Sequence, residues 1–416
     1  MKKSNSKIPL DKLSPRRLMC LDACTRCGEC QNWCPVYSLT ENEKVTPRAK
    51  IKNFKSILKA QNGFLGLFKS DISQDTLSDF LTGLYECSCC NQCHFVCPSR
   101  IDTVELWEDV REAMFRSGLG PIPEQRTFCE NLVKFGNPYK KEQSARTDWI
   151  EAGLQDGTLL SRPELITENK ASVLLFIGCT ATFDEKVSRI AKHTVNILNE
   201  AGVKFGILGT AENCCYGKLR RMGDPTFKQL AQQNIEKLNS LGFDTLVSAC
   251  AGCFKTLNAD YPKVGEQKYK IYHLSEYLDI LIRQGQIKLK EPIPGKVTYH
   301  DPCLLGRHNN IYDAPRRVVE AIPGMEFVEM EKTRQFSRCC GVGGGLKIAN
   351  HDLQEAASVR RIRDAEETGA EYLTTPCPTC FSGLSGGASI AESKLKVIHM
   401  AELVARAMGI ATASKD

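Results

Sequence analysis

Long apolar runs are missing from this 416-residue chain: the best, VLLFIG at Val173 to Gly178, is far shorter than the about 18 residues a bilayer span needs. The opening MKKSNSKIPLDKLSPRR leads into cysteines rather than an apolar core, so no signal peptide is expected and a cytoplasmic location is. Any membrane association would then be peripheral, with a partner subunit as the link. A nucleic-acid footprint is missing as well. The formal net charge of +6 is small, and it ignores any bound inorganic charge. Glycine, proline and strand-type alternation are scarce between the cysteine runs of the first ~130 residues, which points to a compact helical domain.

What the chain has in excess is cysteine, 21 residues of it. In a reducing compartment that number argues for metal ligation over disulfides or packing. Two runs carry the clearest pattern. C-T-R-C-G-E-C-Q-N-W-C-P places Cys24, Cys27, Cys30 and Cys34 before Pro35, and C-S-C-C-N-Q-C-H-F-V-C-P places Cys87, Cys90, Cys93 and Cys97 before Pro98. Two-residue spacing curls three thiolates onto one cubane, and the fourth cysteine, beyond that loop, reaches the other cluster in two-cluster ferredoxins. The expected sets are Cys24, Cys27, Cys30 and Cys97 for one cube, and Cys87, Cys90, Cys93 and Cys34 for the other. Structural zinc also uses paired C-x-x-C, but three cysteines plus a fourth before proline, twice over, favour iron–sulfur cubes.

From Ala171 apolar runs alternate with helical stretches: ASVLLFIGC, EKVSRIAKHTVNILNEAG, KFGILG, PTFKQLAQQNIEKLNSLG and TLVSAC. This order predicts a parallel α/β unit. It recurs after Gly295 as KVTYHDPC, APRRVVEAI, FVEM, DLQEAASVRRIRDAEETG and EYLTTPC. Cys179 and Cys303 are offset by 124 residues, Cys214 and Cys339 by 125, and Cys250 and Cys377 by 127. The expected fold is α+α/β, a helical two-cluster ferredoxin domain over 1–140 followed by duplicated α/β repeats over 170–262 and 296–405. Segments 140–170 and 262–296 are expected as linkers.

Each repeat carries a single cysteine, a vicinal pair and a C-x-x-C: Cys179, Cys214, Cys215, Cys250 and Cys253 in the first, Cys303, Cys339, Cys340, Cys377 and Cys380 in the second. These fall at strand ends, where open α/β sheets collect ligands. Five soft thiolates exceed what tetrahedral zinc or one cubane needs, and adjacent cysteines are poorly shaped as terminal ligands of one iron. An unusual cluster with an iron open to substrate is the expected occupant. A redox disulfide at the vicinal pair and plain buried thiols are the bland alternatives. Cys20, Cys89 and Cys129 lie outside every set and are expected to be packing thiols.

These residues resemble the CCG (cysteine-rich) domain of the heterodisulfide reductase family. The fused order of two ferredoxin runs then two CCG repeats is similar to that of the family's D-type iron–sulfur proteins, with YHDPCLLGRHNNIYDAPRRVVEAIPG and CCGVGGGLK close to the family's wording. The resemblance implies two cubane 4Fe-4S clusters, one or two non-cubane 4Fe-4S clusters on the ten CCG cysteines, and cleavage of the mixed disulfide of coenzymes M and B. It also implies partner redox subunits, a membrane cytochrome b or a flavoprotein. The first repeat departs from the pattern, with CCYG at Tyr216 and Gly217 and no Asp-Pro before Cys179. Related proteins serve glycolate and glycerol-3-phosphate dehydrogenases, sulfite-reduction membrane complexes and a benzoyl-CoA reductase complex, so an electron relay without disulfide chemistry is the alternative function.

Around the expected site, His300 and His308 are candidate proton donors and Arg307 and Lys347 candidate anion binders. Gly341, Gly343, Gly344 and Gly345 are expected to let backbone approach a cluster closely. The basic amphipathic stretch Lys50 to Lys69 is either a docking face or the cover of a neighbouring helix.

Overall fold

The structure, a computed structural model, describes residues 8–9, 13–62 and 73–410. They group into two compact units. One comprises Met1–Glu130 with Lys218–Phe227 and Gly341–Ala357; the other comprises Asn131–Gly217, Lys228–Cys340 and Ser358–Asp416. No helix among the described residues is long and apolar enough to cross a membrane.

The first unit is helical. Ser14 caps the helix Pro15–Asp22, with proline at its first position. Thr46 caps Pro47–Asn62 by accepting from Ala49 N at 3.2 Å. That helix turns Ile51, Phe54 and Ile57 inward, and Phe54 stacks on Phe80 of the helix Gln74–Tyr85 with centroids 5.2 Å apart. The apolar face of the amphipathic stretch therefore covers this core; its remainder, 63–69, lies outside the described residues. Gly83 permits the close crossing, because a Cβ there would sit 2.2 Å from Lys44 O. The helix Thr103–Arg116 completes the core with Leu106, Trp107 and Val110. Its acidic face holds Arg220, which bonds Glu108 at 3.2 Å and Asp109 at 2.9 Å and so ties Lys218–Phe227 into this unit.

The second unit is α/β. Strands β1 (Val173–Phe176), β2 (Phe205–Gly206), β3 (Thr245–Ser248) and β4 (Lys270–His273) form one parallel sheet in the order β2-β1-β3-β4. Strands β5 (Gly295–Tyr299), β6 (Met325–Phe327), β7 (Tyr372–Thr375) and β8 (Lys396–His399) form a second in the order β6-β5-β7-β8. Registers agree with the duplication: Phe176 pairs Ser248 and Ser248 pairs His273, while Thr375 pairs His399. In each sheet the order reverses beside the first strand, which puts the ligand-collecting edge at the carboxyl ends of β1 and β3, and of β5 and β7.

Helix packing relates the repeats by a pseudo-two-fold. The helix after β1, Glu185–Glu200, packs on Met400–Ala407, which follows β8; the helix after β4, Leu274–Arg283, packs on Asp313–Glu320, from the β5–β6 connection. Arg317 binds Asp279 at 2.6 Å across the second contact. One apolar cluster accordingly contains Leu175 and Val195 of the first repeat with Val297 and Leu403 of the second.

Both expected linkers are structured. Segment 140–170 contributes Trp149, Ile150, Leu159 and Ile166 to the buried interior, and 262–296 contains β4 and the helix Leu274–Arg283. Strands β4 and β8 have four residues each, too short to show a period, and their place at the sheet edge comes from pairing.

Candidate metal centres

The two ferredoxin runs form matching loops. In each, a four-residue helix, Glu29–Asn32 or Gln92–Phe95, follows a left-handed residue, Gly28 (φ 90°) or Asn91 (φ 65°). Arg26 (φ 61°) and Cys89 (φ 51°) repeat the reversal one residue before Cys27 and Cys90. These reversals coil the backbone so that thiols two residues apart face one point. One cleft is lined by Cys24, Cys27, Cys30 and Cys97, together with Cys93. A second is lined by Cys34, Cys87, Cys90 and Cys93, with Cys89. The fourth cysteine of each run thus lies with the first three of the other.

Burial pushes the Cys30 and Cys34 thiols up to about 11 and Cys93 up as well, so an anionic sulfur here needs a cation or metal for company. Cys87 is driven the other way, well below the ordinary thiol range, by a hydrogen bond from Cys89 and by the charges of Lys50 and Arg111. Cys89 is therefore more than packing: it also accepts from Arg111 Nη1 at 3.2 Å. Cys129 is buried beside Met222 Sδ at 3.6 Å, and Cys20 packs at the margin of the helical core, as expected of spare thiols.

In the α/β unit all ten repeat cysteines are buried. Cys179 opens the helix after β1 and Cys250 caps the helix after β3; Cys377 caps the helix after β7 in the same way. Thiol–thiol hydrogen bonds run from Cys179 to Cys214, to Cys215, to Cys253 and to Cys250, then across to Cys377, Cys380 and Cys340. Cys340 and Cys380 are 3.4 Å apart, and Cys250 Sγ lies 4.0 Å from Thr379 Oγ1. Cys250 and Cys377 are equivalent positions, and their meeting is what a two-fold axis produces. Bonds from neighbouring thiols drive Cys179, Cys215 and Cys250 toward thiolate.

The surroundings of the two sets differ. In the first repeat Arg146 donates to Cys179 Sγ at 3.3 Å and to Glu212 at 2.9 Å, and Glu212 accepts from Ile177 N and Gly178 N, each at 2.9 Å. In the second, His300 lies within 4.8 Å of Cys340 and Cys380, and its Nδ1 accepts from Arg361 Nε at 3.3 Å. Burial, with Arg361 beside it, pushes His300 down to about 3, so the ring is neutral and its remaining proton is on Nε2. His300 is therefore a hydrogen-bond donor rather than a store of protons. His273 and His399, at the ends of β4 and β8, use Nδ1 to cap the next helix, accepting from Ser275 N and Ala401 N at 3.2 Å. The Nε2 atoms of His273 and His300 have no hydrogen-bond partner among the described residues, whereas the His399 ring also bonds the Pro376 backbone.

Two buried, unmatched N–H donors in a unit with ten buried sulfurs fit a sulfide-bearing metal cluster, whose anionic sulfurs accept such bonds. The donor set is soft throughout and suits iron rather than a hard cation. Other expectations move. Arg307 is buried and donates to Gln335 O and Ser337 O, clasping the loop before Cys339. His308 donates its backbone N–H to Cys303 O at 3.1 Å, and Lys347 is exposed. Gly343 and Gly344 do serve a close approach, but to the backbone at Cys87 and Ser88.

Comparison with known proteins settles the family. Residues 173–258 and 297–385 match the cysteine-rich (CCG) domain, and 20–101 match the 4Fe-4S dicluster domain. The chain is 37% identical to the D subunit of the dihydromethanophenazine:CoB–CoM heterodisulfide reductase of Methanosarcina barkeri, across 99% of this chain and 100% of the relative. The chain belongs to the D-type family of heterodisulfide reductase subunits. The corresponding protein of Methanosarcina mazei is 38% identical over the same shares. An EtfAB:quinone oxidoreductase of Syntrophomonas wolfei is 32% identical over 94% of this chain and 58% of its own length. A hypothetical protein of Helicobacter pylori shares the fold alone, with a TM-score of 0.54 at 12% identity, covering 90% of this chain and 69% of that one. As a member of this family the chain is an iron–sulfur oxidoreductase, and its 4Fe-4S dicluster domain implies two cubane clusters.

Sequence reading missed Arg146, Glu212, Arg111, Lys50, His273 and His399. The two histidines had a signal, since KIYHLSE and KVIHMAE are 126 residues apart and fall within the repeat's own offset. The others have none: each is a single charged residue whose role depends on what folds over it.

Proposed function

We propose that this chain is the disulfide-reducing subunit of a multi-subunit redox complex. Cys24, Cys27, Cys30 and Cys97, and Cys34, Cys87, Cys90 and Cys93, would hold the clusters that receive electrons; Cys179, Cys214, Cys215, Cys250 and Cys253, and Cys303, Cys339, Cys340, Cys377 and Cys380, would hold those that deliver them to the disulfide. The contact of Cys250 with Cys377 carries this reading, because it supports two sulfur-binding sites within reach of the two sulfurs of one disulfide. When bound, the clusters supply one-electron steps and iron open to a thiol sulfur.

The chain's own residues do the rest. The sulfur–sulfur bond takes up two electrons and two protons and yields two thiols. Burial of all ten cysteines excludes water from that exchange. His300, whose ring lies within 4.8 Å of the Cys340 and Cys380 sulfurs, keeps an unpartnered Nε2 proton to offer a bound sulfur, and Arg146 helps hold Cys179 as thiolate. Like the Methanosarcina relatives, named as reductase subunits, the chain would take its electrons from a partner, a membrane cytochrome b or a flavoprotein, and sit peripherally at the membrane in the cytoplasm.

A relay without disulfide chemistry is the second reading. It is favoured by Tyr216, which stands buried in the CCYG motif and donates N–H to Cys214 Sγ at 3.3 Å, and by the likeness to a quinone oxidoreductase. Anaerobically purified protein, reduced with a viologen dye and mixed with the disulfide of coenzymes M and B, distinguishes them. Two thiols per disulfide and an EPR signal on adding coenzyme M thiol are expected. Full iron with reoxidation by a quinone analogue but not by the disulfide overturns the reductase reading.

A further inference from the structure

Lys50 is buried in the first turn of the helix Pro47–Asn62, a place where the helix dipole already opposes a cation. An ammonium removed from water costs several kcal/mol unless an anion answers it. The strongest charges acting on it are the thiols of Cys87, Cys93 and Cys34, with Arg111 as a second cation, and its Nζ lies 5.1 Å from the centre of the Trp107 ring. None of these is a carboxylate. Lys50 lines the same cleft as Cys34, Cys87, Cys90 and Cys93. The other cleft is lined by Arg48, which is half-exposed and bonds Glu43 at 3.5 Å, and its Cys27 is exposed.

We propose that Lys50 is the buried countercharge of the cubane held by Cys34, Cys87, Cys90 and Cys93, raising that cluster's reduction potential while leaving the other cubane untouched. Adding an electron to a thiolate-ligated cube increases its negative charge, so a fixed ammonium in the same dry cleft favours the reduced form. The Trp107 ring face, with the ammonium above it in the same cleft as the thiolates, supports that charge further. The proposal rests on the cubane assignment above, and iron content tests that assignment separately.

The experiment is an EPR-monitored redox titration of the full chain and its Lys50→Met and Lys50→Arg variants, with iron counted in each. Lys50→Met keeps the apolar stem and removes the charge. One cubane signal is expected to move negative by at least tenfold in its reduction equilibrium, about 59 mV for a one-electron couple. Lys50→Arg is expected to stay near the parent value. Loss of about four irons in Lys50→Met with recovery in Lys50→Arg supports the same role. Full iron with unmoved signals in Lys50→Met, or equal iron loss in both variants, overturns it.

Discussion

Arg111 Nη1 donates to Gly344 O at 2.8 Å, so a side chain from the middle of a ferredoxin helix holds the loop that follows the second vicinal pair. The same guanidinium donates to Arg221 O, in the segment after the first vicinal pair, to Leu84 O at 3.1 Å and to Cys87 O at 3.3 Å. One buried cation thus gathers the Cys87 loop and a segment from each repeat.

Arg111→Leu leaves those buried carbonyls unanswered. Charged hydrogen bonds contribute about 1.5–3 kcal/mol each, and the variant is expected to lose at least about 3 kcal/mol. Denaturant unfolding of the anaerobic protein measures it. Arg111→Lys, which lacks the planar fork, is expected to recover less than half.

Gly344 and Gly223 meet backbone where a Cβ would go. At Gly344 (φ 64°) it would lie 2.4 Å from Cys87 O, and at Gly223 (φ 83°) 2.2 Å from the Arg111 carbonyl carbon. Strain and overlap act together at both. Gly344→Ala and Gly223→Ala are each expected to cut folded yield severely, whereas Gly118→Ala, in open space at φ 74°, is expected to be mild.

Arg146 and Glu212 form a buried pair, with side chains 1% and 3% exposed. Arg146→Met strands Glu212 and is expected to destabilise the first repeat by about 3–5 kcal/mol. Glu212, which burial already pushes upward, then takes a proton more readily, so Arg146→Met/Glu212→Gln is expected to recover part of the loss. A double-mutant cycle by chemical denaturation checks this.

His193 is buried on the helix Glu185–Glu200 and is pushed down to about 4 by burial, then by Arg189, Arg406 and Lys192. The unfolded chain takes up this proton near pH 6.5, and the folded one only near 4. Its contribution to stability is therefore complete above about pH 6.5 and falls away as pH drops toward 4. About 2 kcal/mol is expected to go between about pH 7.5 and 5. His193→Asn is expected to lessen the slope of the unfolding midpoint over that interval, the rest coming from His273, His300 and His399, which burial also holds down.

Cysteine spacing determined the most. Thiols two residues apart, with a fourth before proline, leave few backbone paths, so the spacing alone proposes the two crossed sets. The near-constant offset from Cys179 to Cys303 and from Cys250 to Cys377 announced the duplication, because a repeated fold repeats its ligands. What tertiary structure alone decided is which equivalent residues meet. The pseudo-two-fold brings Cys250 to Cys377, and close packing assigns Lys218–Phe227 and Gly341–Ala357 to the helical unit. Lys50, Arg111 and Arg146 read along the chain as ordinary surface charges. Their meaning comes from burial, a property of everything folded around them and of no residue pattern nearby.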